Sequence, residues 1–281
     1  MQQYTQKETL VANLISRRKK QKIGFVPTMG ALHDGHTSLV SKALCENDVV
    51  VVSIFVNPTQ FNNSEDLEKY PRTQGDDILL LKKLKGEIIV YIPETSDLYE
   101  DTVSAKKYNF GGLENEMEGK HRSGHFDGVG TIVNKLLRIV KPDAAYFGEK
   151  DFQQLQIVRK LVAVEKLPVK IVGCPILREQ SGLAMSSRNK RLSPKQFEEA
   201  SMIYKTLNEV QKKFTTKSIT ELNTLVAERF LQNSILNLEY FEIANEKTLK
   251  TAIRKSKSSK YRAFIAAFAG DVRLIDNIPL N

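Results

Sequence analysis

One segment sets the architecture of the chain: Ile23-Gly24-Phe25-Val26-Pro27-Thr28-Met29-Gly30-Ala31-Leu32-His33-Asp34-Gly35-His36. Its first half, residues 23–29, is short and apolar with glycines at its borders, and this predicts a buried strand. Beyond the polar turn, apolar residues recur at helical spacing and predict a helix over residues 37–47. A strand that passes through a turn into a helix is the repeating unit of a parallel α/β sheet.

The same alternation continues on both sides of this segment. Apolar runs predict four further strands at residues 48–56, 87–92, 143–147 and 169–174. The run at 48–56 is largely β-branched and nearly all apolar, as in strands that are covered on both faces. Helical patterns surround and separate the strands at residues 5–20, 76–85, 129–140 and 153–164. Together they predict a parallel sheet with right-handed crossovers and helices on both faces.

The pattern changes after Pro175. Ser193-Pro194-Lys195-Gln196 combines a hydroxyl cap, a proline at the first helical position and a glutamine three residues after the cap, which predicts a helix to about residue 214. A second helix is predicted over 219–232, followed by strands at 236–243 and 262–269. Two helices followed by two strands do not continue a parallel sheet. We therefore predict two domains, residues 1–176 and a smaller α+β domain of residues 177–281.

The composition excludes several classes of protein. The 281 residues are 41% hydrophobic and 27% charged, which is ordinary globular usage and excludes a disordered or collagen-like chain. A formal net charge of +9 suits anionic partners without choosing among them. Two cysteines, Cys45 and Cys174, form no disulfide framework and are predicted to be buried in a protein of a reducing compartment. Because no signal peptide or membrane-length apolar stretch is seen, we expect a cytoplasmic protein without a membrane partner.

The histidines mark the first candidate site. The sequence has no G-x-x-x-x-G-K-[ST] motif, and no G-x-G-x-x-G at a strand-to-helix junction. If the protein binds a nucleotide, another motif must bind its phosphates. His33 and His36 follow the first predicted strand and open a helix, where anions bind in parallel sheets. Two alternatives stay open at this point. One is a helix cap with incidental histidines, and the other is a zinc site formed with His121 and His125, although no thiolate lies near them in sequence.

Two further segments carry phosphate-binding chemistry. Residues 146–154 again join a strand to a helix, with Lys150 as a point charge and Gln154 one turn beyond it. Residues 182–189 form a small-residue loop in which Ser186, Ser187 and Arg188 combine hydroxyls with a guanidinium. The alternative interpretations are a solvated helix start and an ordinary polar loop.

These motifs together resemble a known family. His33-Asp34-Gly35-His36 resembles the HxGH signature of the nucleotidylyltransferase superfamily, and Met185-Ser186-Ser187-Arg188 resembles its KMSKS-like loop. The finer resemblance is to the pantoate–β-alanine ligase family and covers essentially the whole chain. It is carried by residues 25–36, Val56-Asn57-Pro58-Thr59-Gln60-Phe61, Tyr70-Pro71-Arg72-Thr73, Gly124-His125-Phe126-Asp127-Gly128, Gly148-Glu149-Lys150-Asp151 and Arg273-Leu274-Ile275-Asp276-Asn277-Ile278. The sequence departs from the family pattern at Asn62 and Ser123, which affects local loop shape.

The resemblance implies a Rossmann-like N-terminal domain, a smaller C-terminal lid domain and a homodimer. It implies that pantoate and ATP form pantoyl adenylate and pyrophosphate, and that β-alanine then displaces AMP to give pantothenate. The implied catalytic residues are His33, His36, Lys150 and Arg188. ATP is implied to contact Met29, Gly30, Ala31, Leu32, His33, Asp34, Gly35, His36, Gly148, Glu149, Lys150, Asp151, Leu177, Met185, Ser186, Ser187 and Arg188. Pantoate is implied to contact Asn57, Gln60 and Gln154, and Gln60 also falls where β-alanine binds.

The residue chemistry agrees with this assignment. A carboxylate nucleophile is ionised near pH 7, so the first step needs charge stabilisation and alignment rather than a general base. Mg²⁺ is expected to arrive with ATP, held mostly by phosphate and water, so no dedicated metal ligands are predicted in the chain. Asp76 or Asp77 could assist the ion, although an acidic pair at a helix start is the plainer interpretation.

Two rival functions remain. One is another HxGH-type nucleotidylyltransferase that stops before any amine step. The other is a nucleic-acid-binding protein, suggested by the net charge and by the basic stretch 250–262. That stretch has one aromatic residue, Tyr261, where base stacking would favour several, so we expect no nucleic-acid partner.

Overall fold

The computed structural model describes residues 1–62, 64–99 and 102–281. Within these residues, nine strands form two sheets. The first sheet is parallel and contains β1 (Gln2–Tyr4), β2 (Ile23–Thr28), β3 (Val49–Ile54), β4 (Ile88–Tyr91), β5 (Ala144–Gly148) and β6 (Lys170–Cys174). The second is antiparallel and contains β7 (Leu236–Asn245), β8 (Tyr261–Ala269) and β9 (Val272–Pro279). The expected fold class, a Rossmann-like α/β domain with a smaller C-terminal α+β domain, is confirmed.

Helices connect and cover these strands. They are α1 (Lys7–Arg17), α2 (Asp34–Glu46), α3 (Ser64–Glu68), α4 (Gln74–Lys82), α5 (Thr95–Leu98), α6 (Glu118–His121), α7 (His125–Val140), α8 (Phe152–Val164), α9 (Pro194–Lys213) and α10 (Ile219–Leu231). Short 3₁₀ turns lie at Pro58–Gln60, Leu113–Asn115, Glu149–Asp151 and Ser187–Arg191. Among the described residues, no helix has the length and apolar character needed to cross a membrane.

The order of the parallel strands creates a ligand crevice. The sheet runs β1-β4-β3-β2-β5-β6, so the chain moves outward from β2 on one side and then returns to build β5 and β6 on the other. Strand β2 pairs with β3 from Ile23 to Thr28, but with β5 only at Gly24 and Phe25. The strands therefore diverge toward their carboxyl ends. In open parallel sheets, this reversal of strand order is the position at which ligands bind.

Burial on both faces explains the apolar character of the central strands. Val49, Val50, Val51 and Val52 are fully buried. Alternate valines join opposite apolar clusters, since Val49 and Val51 pack with Phe25 while Val50 and Val52 pack with Val26. This is the consequence of successive side chains pointing to opposite sides of a strand. The prediction of a doubly covered parallel sheet is confirmed.

Helices α9 and α10 pack on the antiparallel sheet around their own apolar cluster. The predicted cap of α9 is present, because the Ser193 side chain accepts from the Gln196 amide and the Gln196 side chain accepts from the Ser193 amide. Strand β9 is absent from the predictions, because Asp276 and Asn277 interrupt its apolar alternation. The short strand β1 was also missed. The boundary at residue 176 stays a prediction.

The two sheets are tied together across the predicted boundary. The Arg273 guanidinium on β9 binds the Glu118 carboxylate at 2.7 and 2.8 Å, and the Tyr240 hydroxyl donates to the same carboxylate. These contacts with Arg273 and Tyr240 hold the pKa of Glu118 at about 2, although burial alone would raise it. Phe264 on β8 also belongs to the main apolar cluster under the parallel sheet. The C-terminal domain is therefore packed against the first domain through both charge and apolar contacts.

Three predictions need correction. Helix α2 begins at Asp34 rather than residue 37, because His33 and His36 cap it. Helix α7 begins at His125 rather than residue 129, after Gly124 in a left-handed conformation. Cys45 is exposed rather than buried, since it lies on the outer side of α2, whereas Cys174 is buried as expected.

Candidate active site

A cavity of about 230 Å³ opens at the crevice between β2 and β5. Its walls come from the carboxyl ends of both strands, from α2 and α7, and from the loop that precedes α9. Fifteen of the residues proposed from the sequence line it together: Met29, His33, Gly35, His36, Asn57, Gln60, Gly148, Lys150, Asp151, Gln154, Leu177, Met185, Ser186, Ser187 and Arg188. Segments from distant parts of the chain thus meet in one site.

The other proposed residues do not line this cavity. They are Gly30, Ala31, Leu32, Asp34 and Glu149. Ala31 and Leu32 are buried behind the wall, at 0% and 4% exposure. Ala31 and Leu32 form part of the turn that presents His33 and His36. Contact between these two residues and ATP would therefore involve their backbone atoms or a movement of the turn.

The two histidines cap their own helix. The Gly35 amide donates to Nδ1 of His33 at 3.1 Å, and the His33 amide donates to Nδ1 of His36 at 3.4 Å. Gly35 is needed for this arrangement, because a Cβ there would lie 2.7 Å from the His33 ring. Since Nδ1 accepts in both rings, a neutral imidazole carries its proton on Nε2. The cap therefore leaves each Nε2–H free to donate to a ligand.

Both imidazoles are neutral at pH 7. Burial, followed by the charges of Lys150 and Lys190, lowers the pKa of His33 to about 4. Burial, followed by the neighbouring His33 and Lys150, lowers the pKa of His36 to about 3. The ring centroids are 4.1 Å apart, which further disfavours a second positive charge. The pair is thus a set of neutral donors rather than cations.

A buried carboxylate holds the turn in place. Asp77 on α4 is 1% exposed, and it accepts from the Ala31 amide at 3.0 Å and the Leu32 amide at 2.7 Å. The Thr73 hydroxyl also donates to it at 3.1 Å. Ala31 has a φ of +50°, a left-handed conformation that costs energy in a residue with a side chain. Asp77 is a positioning residue that the sequence pattern showed only as one of two acids at a helix start.

Neutral amides form the wall beside the histidines. Asn57 donates to the Gln60 side chain at 3.3 Å and to the Gly128 carbonyl at 3.2 Å, while the Tyr99 hydroxyl donates to Asn57 at 2.7 Å. The Gln60 amide contacts the Met29 sulfur at 2.7 Å. Asn57 and Gln60 are buried at 1% and 9% exposure. These amides are therefore held in fixed positions before any substrate arrives.

Close packing of α7 sets the position of this wall. A Cβ on Gly128 would lie 2.2 Å from the Thr59 carbonyl oxygen, so only glycine permits the approach. His125 at the start of the same helix contacts the Gln60 carbonyl through Nδ1 at 2.7 Å. Burial, followed by Arg122, lowers the pKa of His125 to about 4. His125 thus supports the amide wall rather than joining His33 and His36.

The loop before α9 reaches across to the first domain. The Ser187 hydroxyl donates to the Ala31 carbonyl at 3.0 Å, which links the loop to the histidine turn. The Arg188 guanidinium binds Asp66 on α3 at 2.8 Å and lies over the Tyr70 ring. Ser186, Ser187 and Arg188 therefore line the cavity together, with Arg188 held by a carboxylate, and their role in binding phosphate stays a prediction.

Lys150 completes the cationic side of the cavity. Its Nζ is 3.8 Å from the Asp151 carboxylate and its side chain is 19% exposed. Its charge contributes to lowering the pKa of both His33 and His36, which places it on the same side of the site. Among the described residues, no group of three or more His, Cys, Asp or Glu side chains could hold a metal ion, so the zinc interpretation has no support there.

Comparison with known proteins identifies the family. The sequence model described as pantoate-beta-alanine ligase matches residues 2–279. A pantothenate synthetase from Flavobacterium psychrophilum is 59% identical over 261 residues, which cover 93% of each chain. The crystal structure of pantothenate synthetase from Thermus thermophilus superposes with a TM-score of 0.92 at 36% identity, covering 100% of this chain and 99% of that one.

The chain belongs to the pantoate–β-alanine ligase family. A family member from Francisella tularensis, solved in complex with beta-gamma ATP and β-alanine, superposes with a TM-score of 0.82 at 39% identity and covers 100% of this chain and 98% of that one. The resemblance inferred from the sequence motifs is thereby confirmed. A ligase of this family joins pantoate to β-alanine with ATP, and a nucleotidylyltransferase without an amine step is not favoured.

Proposed function

We propose that the cavity between β2 and β5 carries out both steps of ATP-dependent pantothenate formation. A pantoate carboxylate oxygen bonds to the α-phosphorus of ATP, and the bond to the β-phosphate breaks with its electron pair leaving on pyrophosphate. The amine of β-alanine then attacks the acyl carbon, the acyl–oxygen bond breaks, and AMP leaves while the nitrogen loses a proton. The observation that carries this proposal is the meeting of neutral histidines, Lys150 and Arg188 with a wall of fixed amides in one cavity.

The polar groups divide into two roles. His33 and His36 donate through Nε2–H to the phosphoryl oxygens as charge develops on them, and Lys150 and Arg188 supply fixed positive charge. Ser186 adds a hydroxyl donor from the loop before α9, and Ser187 fixes this loop by donating to the Ala31 carbonyl. Because these donors are already in place, they cost little reorganisation when the reaction occurs.

The amide wall suits pantoate. Asn57, Gln60 and Gln154 are neutral and can donate to a carboxylate and accept from a hydroxyl without acting as nucleophiles. Asn57 and Gln60 are already linked by a hydrogen bond, which fixes their orientation. The pantoate carboxylate would then be held beside the α-phosphate, which is the alignment that the first step requires. Gln60 also contributes to holding β-alanine.

The cavity accommodates Mg²⁺ as part of the nucleotide substrate. Asp151 is the carboxylate among the described lining residues, and the side chain is 46% exposed. Asp77 is unavailable, because two backbone amides and a hydroxyl already occupy its oxygens. A cation held mainly by phosphate and water, with Asp151 nearby, fits this donor set. The ion would neutralise charge on the departing pyrophosphate.

Two further expectations concern the protein as a whole. We propose a homodimer, on the family resemblance that also gave the fold. We also propose a cytoplasmic location, which is supported by the two unpaired cysteines, one of them exposed.

Product analysis tests the proposed function. With ATP and pantoate alone, quenched reactions should contain pantoyl adenylate and pyrophosphate but little free AMP. Adding β-alanine should release AMP and pantothenate in equal amounts. AMP release at the same rate without an amine, or stable accumulation of a nucleotidyl product in the presence of β-alanine, would overturn the proposal and favour a nucleotidylyltransferase.

A further inference from the structure

Strand β9 of the C-terminal sheet reaches the turn that carries Lys150. Asn277 on this strand is 1% exposed, and its side-chain amide donates to the Glu149 carbonyl at 2.9 Å and to the Lys150 carbonyl at 2.8 Å. A single buried amide thus holds two successive backbone carbonyls of the 3₁₀ turn Glu149–Asp151. The contact joins two segments that are far apart in the chain.

The orientation of the Asn277 amide is fixed by its neighbours. Arg262 on β8 donates to the Asn277 side-chain oxygen at 2.6 Å, so the nitrogen must face the turn. The Arg262 guanidinium is itself held, because it binds Glu246 at 3.0 Å and lies 3.9 Å from the centre of the Phe152 ring at the start of α8. The amide therefore has one orientation that satisfies both its donor and acceptor atoms.

The preceding residue supports the second phosphate-binding segment. The Asp276 carboxylate is 4% exposed and binds Arg178 at 2.6 and 3.0 Å. Arg178 also donates to the Gly182 carbonyl at 3.1 Å, within the short hairpin that leads to Ser186. Two adjacent residues on β9 thus contact both segments that bring cationic side chains to the cavity.

We propose that Asn277 is a positioning residue for Lys150. It fixes the backbone of the turn, so the lysine amine is directed at the histidine pair and the phosphates of ATP. The inference rests on the part given to Lys150 in the proposed function. A lysine side chain has four rotatable bonds, so its amine is placed accurately only when the backbone beneath it is held.

A double-mutant cycle with Lys150→Ala tests the proposal. Asn277→Ala should lower kcat for adenylate formation by ~10–100-fold, the loss expected when a charged group is misplaced by about 1 Å. The KM for pantoate should change less, because Asn57 and Gln60 are held by contacts that do not involve Asn277. In the Lys150→Ala background, the same substitution should lower kcat by less than about twofold, because the group it positions is gone.

Matched variants separate this role from general stability. Asn277→Asp keeps the shape of the side chain but replaces both N–H donors with a carboxylate facing two carbonyl oxygens, and it should reproduce the loss of kcat. Asn134→Ala removes another buried amide, one bonded to Tyr108 and Arg138 away from the cavity, and should leave kcat unchanged. Thermal unfolding of each variant shows whether it is folded. If Asn277→Ala does not fold, the double-mutant cycle with Lys150→Ala is measured with Asn277→Asp instead.

The possible outcomes separate failure of the positioning role of Asn277 from failure of the proposed function. Equal losses from Asn277→Ala in both backgrounds, or full activity of the single variant, would overturn the positioning role alone. Wild-type kcat in Lys150→Ala would refute the part given to Lys150, and the positioning role with it. Absence of pantoate-dependent adenylate formation in the unmodified protein would refute the proposed function instead.

Discussion

The two strand-to-helix turns at the cavity are built in different ways. The turn after β2 is capped by its own residues, since His33 and His36 accept from amides within the same four-residue segment. The turn after β5 has no such side-chain cap at Gly148 or Asp151, and its carbonyls are held by Asn277 from the other domain. Local capping makes a short motif recognisable in the sequence. Support from a distant strand leaves no local signal.

This contrast predicts different sensitivities. The turn after β2, which carries His33 and His36, should be disrupted by substitutions close to it in sequence or at Asp77. The turn after β5, which carries Lys150, should be disrupted by substitutions in the C-terminal sheet.

Loss of His36 should have the largest effect. His36→Ala removes an Nε2–H donor to the transferring phosphoryl group and should lower kcat by ~10²–10³-fold, or about 3–4 kcal/mol. ATP binding should weaken less than turnover, because the donor acts most strongly as charge develops. Steady-state kinetics with equilibrium ATP binding measures both. His121→Ala, which alters a histidine outside the cavity, is the control, and equal kcat in the two variants would remove His36 from the site.

Replacing Asp77 should weaken the hydrogen bonds that hold the turn carrying His33 and His36. Asp77→Asn keeps the shape but turns one acceptor oxygen into a donor that faces a backbone N–H, at a cost of about 1–3 kcal/mol. We expect a lower melting temperature and a lower kcat/KM for ATP. Asp76→Asn changes the exposed acid next to it and is the matched control. Indistinguishable behaviour of the two variants would show that Asp77 does not hold the turn.

Removal of Arg188 should affect the fate of the intermediate. Arg188→Ala should slow adenylate formation and raise the ratio of AMP to pantothenate above one, because the loop before α9 would exclude water less well. Arg188→Lys should restore only part of the function, since it lacks the planar fork. The measurement is product stoichiometry at saturating β-alanine. A ratio that stays near one in Arg188→Ala would limit this residue to binding.

The pH dependence should be the mildest effect. The pKa values of His33 and His36 lie near 4 and 3, below the usual histidine value of about 6.5, so adenylate formation should show no inflection near pH 6.5. Folding stability should decrease as pH falls from about 6.5 toward 4, because the unfolded chain then binds protons that the folded histidines do not. The rate of adenylate formation and the melting temperature, each measured between about pH 4 and pH 7, test both statements. A rate inflection near pH 6.5 that follows a histidine of the site would mean that this histidine keeps its ordinary pKa, and would contradict the neutral pair.

Much of the fold could be predicted from the sequence because its signals are local. Four consecutive valines identify a doubly covered strand, and Ser193 with Gln196 identifies the start of α9. The site residues on the histidine turn were found for the same reason. Asp77, Asn277 and Asp276 were not assigned a positioning role, since nothing near them in the chain shows which backbone they hold. Strand β9 was missed because its two buried polar residues, which interrupt the apolar pattern, are committed to contacts across the molecule.

Exchange of labelled pyrophosphate into ATP reports reversible adenylation of pantoate, the step in which both turns act. We expect exchange with pantoate alone, at an undiminished rate without β-alanine. We also expect a strong loss of exchange in both His36→Ala and Lys150→Ala. Exchange that requires β-alanine would refute the two-step reaction, and exchange in both variants at the rate of the unmodified protein would refute the role of the two turns.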